Sequence, residues 1–225
     1  MHASKLASTA TTDPSSSSPL QLDVYPCSPQ WTPADNARLQ AVAGEVDAVV
    51  AIERAGPGRD GGYRTMRARR MDHLVAPLEK LLGLLPPSAC TVGIGDGGNE
   101  LGMGKVEGRV LSSTAIPNAR EICCVVATRW LVASSVSNWG GYALAAALAV
   151  VAAEAEQEAG RQRREVVERL LVSSATERAV VEGIVAAGAR DGITGERRAW
   201  VDGMPLETSL AVLEEIREIA CEESS

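Results

Sequence analysis

A glycine-rich acidic segment, Gly93-Ile94-Gly95-Asp96-Gly97-Gly98-Asn99-Glu100, has the residue types and spacing best suited to chemistry. Its two carboxylates, Asp96 and Glu100, stand on a glycine frame. Paired carboxylates can hold a hard divalent cation such as Mg²⁺ or Mn²⁺ through oxygen ligands, or act as a general base. We therefore predict that Asp96 and Glu100 are catalytic residues and that they form the candidate metal site.

The glycine spacing also allows three nucleotide or phosphate interpretations. Gly93, Gly95 and Gly98 match the G-x-G-x-x-G pattern of dinucleotide-binding proteins, although Asp96 and Glu100 would place negative charge where a pyrophosphate should bind. A Walker phosphate loop fails, because its spacing is one residue too long and Val106 replaces the required Ser or Thr. The segment also resembles the magnesium loop of haloacid-dehalogenase-type phosphatases, but the D-x-D-x-T nucleophile element of those enzymes is absent from the chain. A nucleotide-binding oxidoreductase remains a weaker alternative.

The elements that must position this segment follow from hydrophobic patterning. Three apolar stretches are typical of buried strands: 46–52, 90–94 and one or two strands within 122–136. Helices are predicted before, between and after them: from Pro33 to about Gly44 with Thr32 as cap, over 75–85, from Tyr142 onward, from a capping box at Ser174 to about Gly188, and through Leu206, Leu210, Leu213 and Ile216. Strands that alternate with helices predict a Rossmann-like, three-layer α/β fold: a mainly parallel sheet with helices on both faces.

Polar side chains follow each predicted strand at the point where it ends. Such positions are occupied by Glu53-Arg54, by the segment from Asp96 to Glu100, and by Ser137-Asn138. Ligands of open parallel sheets bind beyond the carboxyl ends of the strands. These three polar clusters are therefore predicted to meet at one edge of the sheet and to form a single site.

Composition narrows the class of protein. The chain has 225 residues, 45% of them hydrophobic, a net charge of −7, no Phe and only 3% aromatic residues. Nucleic-acid binding by base stacking needs exposed aromatic side chains, so nucleic acid is not expected as a partner. The longest apolar run, 140–153, is shorter than the roughly 20 residues that span a bilayer; it predicts a buried helix and no membrane partner.

Domain organisation and compartment follow from the same composition. Residues 1–20 are rich in Ser and Thr and are predicted to form a disordered tail, followed by one α/β domain over 21–225. Five cysteines without C-x-x-C spacing are expected to be reduced thiols in an intracellular compartment.

Five motifs, in this order, resemble the C-terminal domain of the D-glutamate cyclase family. They are AIERAG at 51–56, GIGDGGNELGMGK at 93–105, SNWGGY at 137–142, GARDGITG at 188–195 and VDG at 201–203. The resemblance spans about 47–218. It implies cyclisation of D-glutamate, a small acidic amino acid, to 5-oxo-D-proline with loss of water, often in the mitochondrial matrix. It also implies a separate N-terminal cyclase domain, fused or as a partner, in the longer members.

For this reaction the substrate amine must lose a proton and attack the γ-carboxyl carbon. Asp96 or Glu100 is predicted to act as the base or to hold the cation. Lys105 is predicted as the third catalytic residue, and Lys105 or Arg54 is predicted to bind a substrate carboxylate. Glu53 is predicted either to line the site or to pair with Arg54, and Asp191 either to stabilise a turn or to reach the site. The predicted substrate-binding residues are Glu53, Arg54, Gly95, Gly97, Gly98, Asn99, Ser137, Asn138, Gly140 and Asp191.

Two features depart from the family pattern. Members begin with a further strand and a glycine-rich turn, where this chain has only its short polar tail. Val125 and Arg129 stand where acidic or neutral polar residues are expected. The alternative function is therefore a non-catalytic, small-ligand-binding or regulatory domain of the same family, truncated at its N-terminus.

Overall fold

A computed structural model describes residues 21–157 and 162–222. The predicted disordered tail at 1–20 lies outside the described residues. Three strands form a parallel sheet in the order β1-β2-β3, and each strand pairs in register with the next along the chain. The strands are β1 (Ala48–Ile52), β2 (Cys90–Gly95) and β3 (Trp130–Ala133), and a short antiparallel pair follows with β4 (Trp200–Val201) and β5 (Met204–Pro205).

The helices lie around this sheet and confirm the predicted Rossmann-like, three-layer α/β fold. They are α1 (Pro33–Glu45), α2 (Lys80–Leu84), α3 (Glu107–Ser112), α4 (Ala119–Ile122), α5 (Ser137–Gln157), α6 (Arg163–Leu170), α7 (Ser174–Ala186) and α8 (Leu206–Cys221). As predicted, Thr32 caps α1: its hydroxyl accepts a bond from the Asp35 amide, while the Asp35 carboxylate accepts one from the Thr32 amide.

The two faces of the sheet are covered differently. Alternate residues of a strand point to opposite faces. Ala51 faces a cluster of Leu101, Met103 and Cys124, which belong to the chain that leaves β2. Ile94, which is fully buried, faces α5. The long helix α5 thus forms one layer, and α6 and α8 pack on it through a second apolar cluster.

Helix α5 begins at Ser137, five residues before the predicted start at Tyr142. The Ser137 amide donates a 3.0 Å hydrogen bond to the Asp96 carboxylate. A residue that follows β2 thus accepts the hydrogen bond of the first amide of the helix. A cap supplied from another element leaves no local sequence pattern. Two further bonds hold this end of α5: Trp139 Nε1 to Ser209 Oγ at 3.1 Å, and the Tyr142 hydroxyl to Glu177 at 2.6 Å.

Three other predictions need correction. The helix expected over 75–85 is confined to α2, because Pro77 lacks an amide hydrogen and restricts the residue before it. The cap of α7 is Ser173 rather than Ser174, since its hydroxyl accepts the bond from the Thr176 amide. Helix α5 is buried on one face only, and Leu148 and Val151 are exposed.

The described residues contain no helix long and apolar enough to cross a membrane. The five cysteines are free thiols in the structure, and Cys123, Cys124 and Cys221 are buried.

Two adjacent glycines of α5 test the close approach of this helix to the sheet. A Cβ at Gly140 would lie 2.6 Å from Ile94 Cγ2, whereas a Cβ at Gly141 would have its nearest neighbour, Ile52 Cδ1, at 3.8 Å. Both Gly→Ala changes gain the same helix propensity, so their difference isolates overpacking. We expect urea denaturation to give Gly140→Ala a free energy of unfolding about 1–3 kcal/mol below that of Gly141→Ala. Equal stabilities would contradict the close approach of α5 to β2.

Candidate functional site

Three carboxylates meet at the carboxyl ends of β1 and β2. Glu53 follows β1, and Asp96 and Glu100 follow β2. One oxygen from each of the three lies within 4.8 Å of the other two. The predicted convergence of polar residues at this edge is therefore present in the structure. We call Glu53, Asp96 and Glu100 the carboxylate cluster.

Glu100 is the buried member of the carboxylate cluster, with 2% of its surface exposed. Its carboxylate accepts hydrogen bonds from the amides of Gly97 at 2.9 Å and Gly98 at 2.7 Å. Burial raises its pKa, whereas these amide bonds oppose the rise. A phosphate-binding glycine loop would offer such amides to its ligand. Here the amides of Gly97 and Gly98 instead bind the Glu100 carboxylate of the same loop.

The glycines allow this folded-back arrangement. A Cβ at Gly95 would lie 2.7 Å from Glu100 Cβ, so a larger residue would push the Glu100 side chain out of its position. Gly98 has φ +103°, a conformation that side-chain-bearing residues rarely adopt. Both glycines therefore shape the loop around Glu100.

Asp96 connects the glycine loop to α5. One carboxylate oxygen accepts bonds from both the amide and the hydroxyl of Ser137, at 3.0 and 2.9 Å. Ser137 is buried, and it begins a long helix whose N-terminal end carries partial positive charge. This end of α5 thus offsets part of the negative charge of the carboxylate cluster.

Glu53 is the solvent-facing member of the carboxylate cluster. Its backbone has φ +50°, an uncommon conformation for a residue with a side chain, and its amide donates to the Ile94 carbonyl at 3.0 Å. Partial burial of the carboxyl group, together with the negative charges of Asp96 and Glu100, raises the pKa of Glu53 to about 7; a hydrogen bond with Ser137 opposes the rise. Glu53 thus has the pKa of a proton-transfer group at neutral pH.

A long segment between β1 and α2 covers the glycine loop. The Asn99 side-chain amide donates to the Arg64 carbonyl at 2.8 Å, and Met66 packs against Gly97. The segment is itself held by ion pairs that Arg64 and Arg70 make with Asp60 and Asp72. Asn99 thus anchors this covering segment.

Four other predicted site residues have contacts outside the carboxylate cluster. Arg54 donates to the Ala76 carbonyl, and Lys105 donates to the Arg129 carbonyl at 2.8 Å. Asn138 interacts with the Tyr142 hydroxyl, and Gly140 is buried against Ile94. No Glu53–Arg54 ion pair forms among the residues that the structure describes.

Asp191 stabilises turns. Its carboxylate accepts bonds from the amide and hydroxyl of Thr194, at 2.7 and 2.8 Å, and from the Gly203 amide at 2.9 Å. These bonds join its own turn to the β4–β5 hairpin, where Asp202 and Gly203 both have positive φ.

Asp202, in the VDG motif, is an acidic neighbour of the carboxylate cluster that the sequence predicted to be a turn residue and not a site residue. Partial burial raises the pKa of Asp202, and the negative charges of Asp96 and Asp191 raise it further. Its Asp-Gly sequence predicts only a hairpin turn, and a local pattern carries no information about which distant carboxylates the turn faces.

The carboxylate cluster fits the requirements of a hard divalent cation. All three side chains present oxygen donors, which Mg²⁺ and Mn²⁺ prefer, and their mutual repulsion would be relieved by a positive ion. Glu53, Asp96 and Glu100 are the residues that would hold such an ion.

The fold and the site define a class: an α/β domain with an acidic site at the carboxyl edge of a parallel sheet. A family model for the D-glutamate cyclase-like C-terminal domain matches residues 5–217. The chain belongs to this family. It is also similar to a human protein named D-glutamate cyclase, mitochondrial, with 46% identity over 107 residues. That match covers 47% of this chain and 17% of the human protein, so the chain matches only a small part of its relative's length.

The raised pKa of Glu53 predicts a pH-dependent cost in stability. The folded state keeps the Glu53 proton up to about pH 7, whereas an ordinary glutamate releases it near pH 4.5. Between these values the folded protein binds more protons than the unfolded chain, so wild-type stability falls as pH rises. Relative to wild type, we expect the free energy of unfolding of Glu53→Gln to increase across this window in urea titrations.

Asp60→Asn provides a control of opposite sign. Hydrogen bonds from Arg64 and from the Gly62 amide lower the pKa of Asp60, so its contribution to stability is present above the pKa of the unfolded chain and is lost as pH falls. Curves for wild type and Glu53→Gln that stay parallel between about pH 4 and about pH 8 would contradict the raised pKa of Glu53.

Proposed function

We propose that this chain is a carbon–oxygen lyase that converts D-glutamate to 5-oxo-D-proline and water. The main support is the carboxylate cluster, in which Glu53 has a pKa of about 7 beside the N-terminal end of α5. Membership of the D-glutamate cyclase-like family and the name of the human relative support the choice of substrate.

Ring closure joins the α-nitrogen to the γ-carboxyl carbon and breaks one carbon–oxygen bond. The substrate ammonium loses two protons, and the departing oxygen leaves with both as water. A carboxyl group that is half protonated at neutral pH can accept a proton from nitrogen and deliver one to oxygen. We assign this role to Glu53, whose solvent-facing position leaves it open to a substrate.

Asp96 and Glu100 have supporting roles in this proposal. Asp96 orients Ser137, and its negative charge adds to the rise in the pKa of Glu53 that partial burial causes. Glu100 holds the glycine loop through two amides. The N-terminal end of α5 would stabilise the negative charge that develops on the attacked carboxyl group.

A divalent cation bound by the carboxylate cluster would displace the proton from Glu53 and would supply Lewis-acid polarisation of the substrate carboxylate, so proton transfer by Glu53 belongs to the metal-free site. Arg54 and Lys105 are engaged by backbone carbonyls, so we do not assign them to the substrate. The human relative is named as mitochondrial, and we propose the same compartment for this chain together with a partner or fused cyclase domain.

Turnover of D-glutamate by the purified protein tests the proposal. We expect formation of 5-oxoproline, measured by chromatography with L-glutamate as the comparison substrate. Glu53→Gln should lower kcat by about 10²–10⁴-fold, because it removes the proton-transfer group. Asp96→Asn and Glu100→Gln should also lower activity. Assays with added Mg²⁺ or Mn²⁺, compared with assays in a chelator, test whether the reaction needs a cation.

Asp47→Asn is the matched control, because Asp47 is an exposed acid just before β1, at the opposite edge of the sheet. It should retain wild-type activity. Undiminished turnover in the three cluster variants would refute the assignment of these residues. Thermal stabilisation by D-glutamate or 5-oxoproline without turnover would instead support the ligand-binding domain.

A further inference from the structure

A cavity of about 300 Å³ opens beside the carboxylate cluster. It lies between the glycine loop, α3 and the end of β3. Most of its lining is apolar, and Asp96 belongs to both the cavity and the carboxylate cluster. The lining residues that matter here are Asp96, Met103, Arg109, Val110, Ile116 and Ala133.

Arg109 is the cation of this cavity. Among its described lining residues, Asp96 and Arg109 carry the charged side chains. The Arg109 guanidinium has no hydrogen bond or ion pair with any residue in 21–157 or 162–222, whereas Arg64 and Arg70 are held by acids. A guanidinium can bind a carboxylate with two parallel hydrogen bonds.

We infer that this cavity is the substrate subsite and that Arg109 binds the α-carboxylate of the amino acid. The inference rests on the proposed function and names a substrate-binding residue that neither the sequence pattern nor the comparisons assign. With the α-carboxylate on Arg109, the amine would be directed at Asp96, which lines the cavity and belongs to the carboxylate cluster, and the methylene groups would contact the apolar wall.

The chemistry of ring closure favours this anchor. Cyclisation removes the charges of the ammonium and γ-carboxylate groups, and only the α-carboxylate stays charged from substrate to product. A cation that holds this group therefore binds both D-glutamate and 5-oxoproline. The apolar wall suits the two methylene groups, which the reaction leaves unchanged.

Kinetics of Arg109→Gln test the inference. We expect the KM for D-glutamate to rise about 10–100-fold, the effect of losing a hydrogen-bonded ion pair, with a smaller change in kcat. Calorimetry should show a similar loss of affinity for 5-oxoproline. The variant should leave unchanged the affinity for 4-aminobutanoate, which lacks the α-carboxylate. Arg109→Lys should recover part of the affinity, because it keeps the charge but loses the two-pronged geometry.

Arg129→Gln is the matched control, since Arg129 is an exposed arginine outside the cavity. Its kinetics should equal those of wild type. Because Arg109 is exposed and makes no ion pair with the described residues, the unfolding midpoint of Arg109→Gln should also match wild type, which separates a binding defect from misfolding.

Two outcomes separate this inference from the proposed function. If Arg109→Gln cyclises D-glutamate at the wild-type rate and with an unchanged KM, the subsite is overturned and the lyase proposal stands. A wild-type protein that binds glutarate through Arg109 but does not cyclise D-glutamate would overturn the lyase proposal and support the carboxylate subsite. Absence of both turnover and Arg109-dependent binding would overturn both.

Discussion

The pair of hydrogen bonds from Ser137 to the Asp96 carboxylate is the constraint on which the rest of this site depends. It fastens the first residue of α5 to the end of β2, and the missing side chain of Gly140 lets the helix lie against Ile94. Trp139 and Tyr142 then tie the same end of α5 to α8 and α7. Asp96 is thus bonded directly to α5, and α7, α8 and β2 hold that end of α5 in place.

The glycine loop shows how one motif can serve opposite electrostatic purposes. Dinucleotide- and phosphate-binding loops direct free amides at an anionic ligand. Here Gly97 and Gly98 direct their amides at Glu100, which belongs to the same loop. The loop is therefore an internally satisfied acidic element, and its ligand must tolerate or neutralise negative charge. An ammonium group and a divalent cation both meet that condition.

The carboxylate cluster also explains why the three acids differ. Glu100 is buried and held by amides, Asp96 is held by the start of a helix, and Glu53 faces solvent with a raised pKa. Partial burial, and then the fixed neighbours of like charge, thus raise the pKa of Glu53, the most accessible member, towards neutrality. Arg109 lines the same cavity as Asp96 and has no ion pair within the described residues, and in the subsite that we infer it supplies the charge complementary to a carboxylate.

Much of the fold follows from local patterns. A hydrophobic run sets the bounds of β2, and Thr32 with the following proline sets the start of α1. Pro86-Pro87 follows shortly after the end of α2. Each of these signals acts within a few residues. The α/β class and the meeting of strand ends at one edge follow from alternation of strands and helices. Asp96, Glu100 and Glu53 were placed at this edge on that basis.

The directions of the side chains needed the tertiary structure. Arg54 follows Glu53 immediately, yet it bonds to Ala76 while the Glu53 carboxyl group joins Asp96. Contacts between distant segments likewise set the start of α5 and bring Asp202 towards Asp96. Hydrophobic periodicity is local, so the sequence is sufficient to predict which acids stand at the strand ends. Burial and charge repulsion arise from residues far apart along the chain, so the contacts among Glu53, Asp96 and Glu100 could be read only from the folded structure.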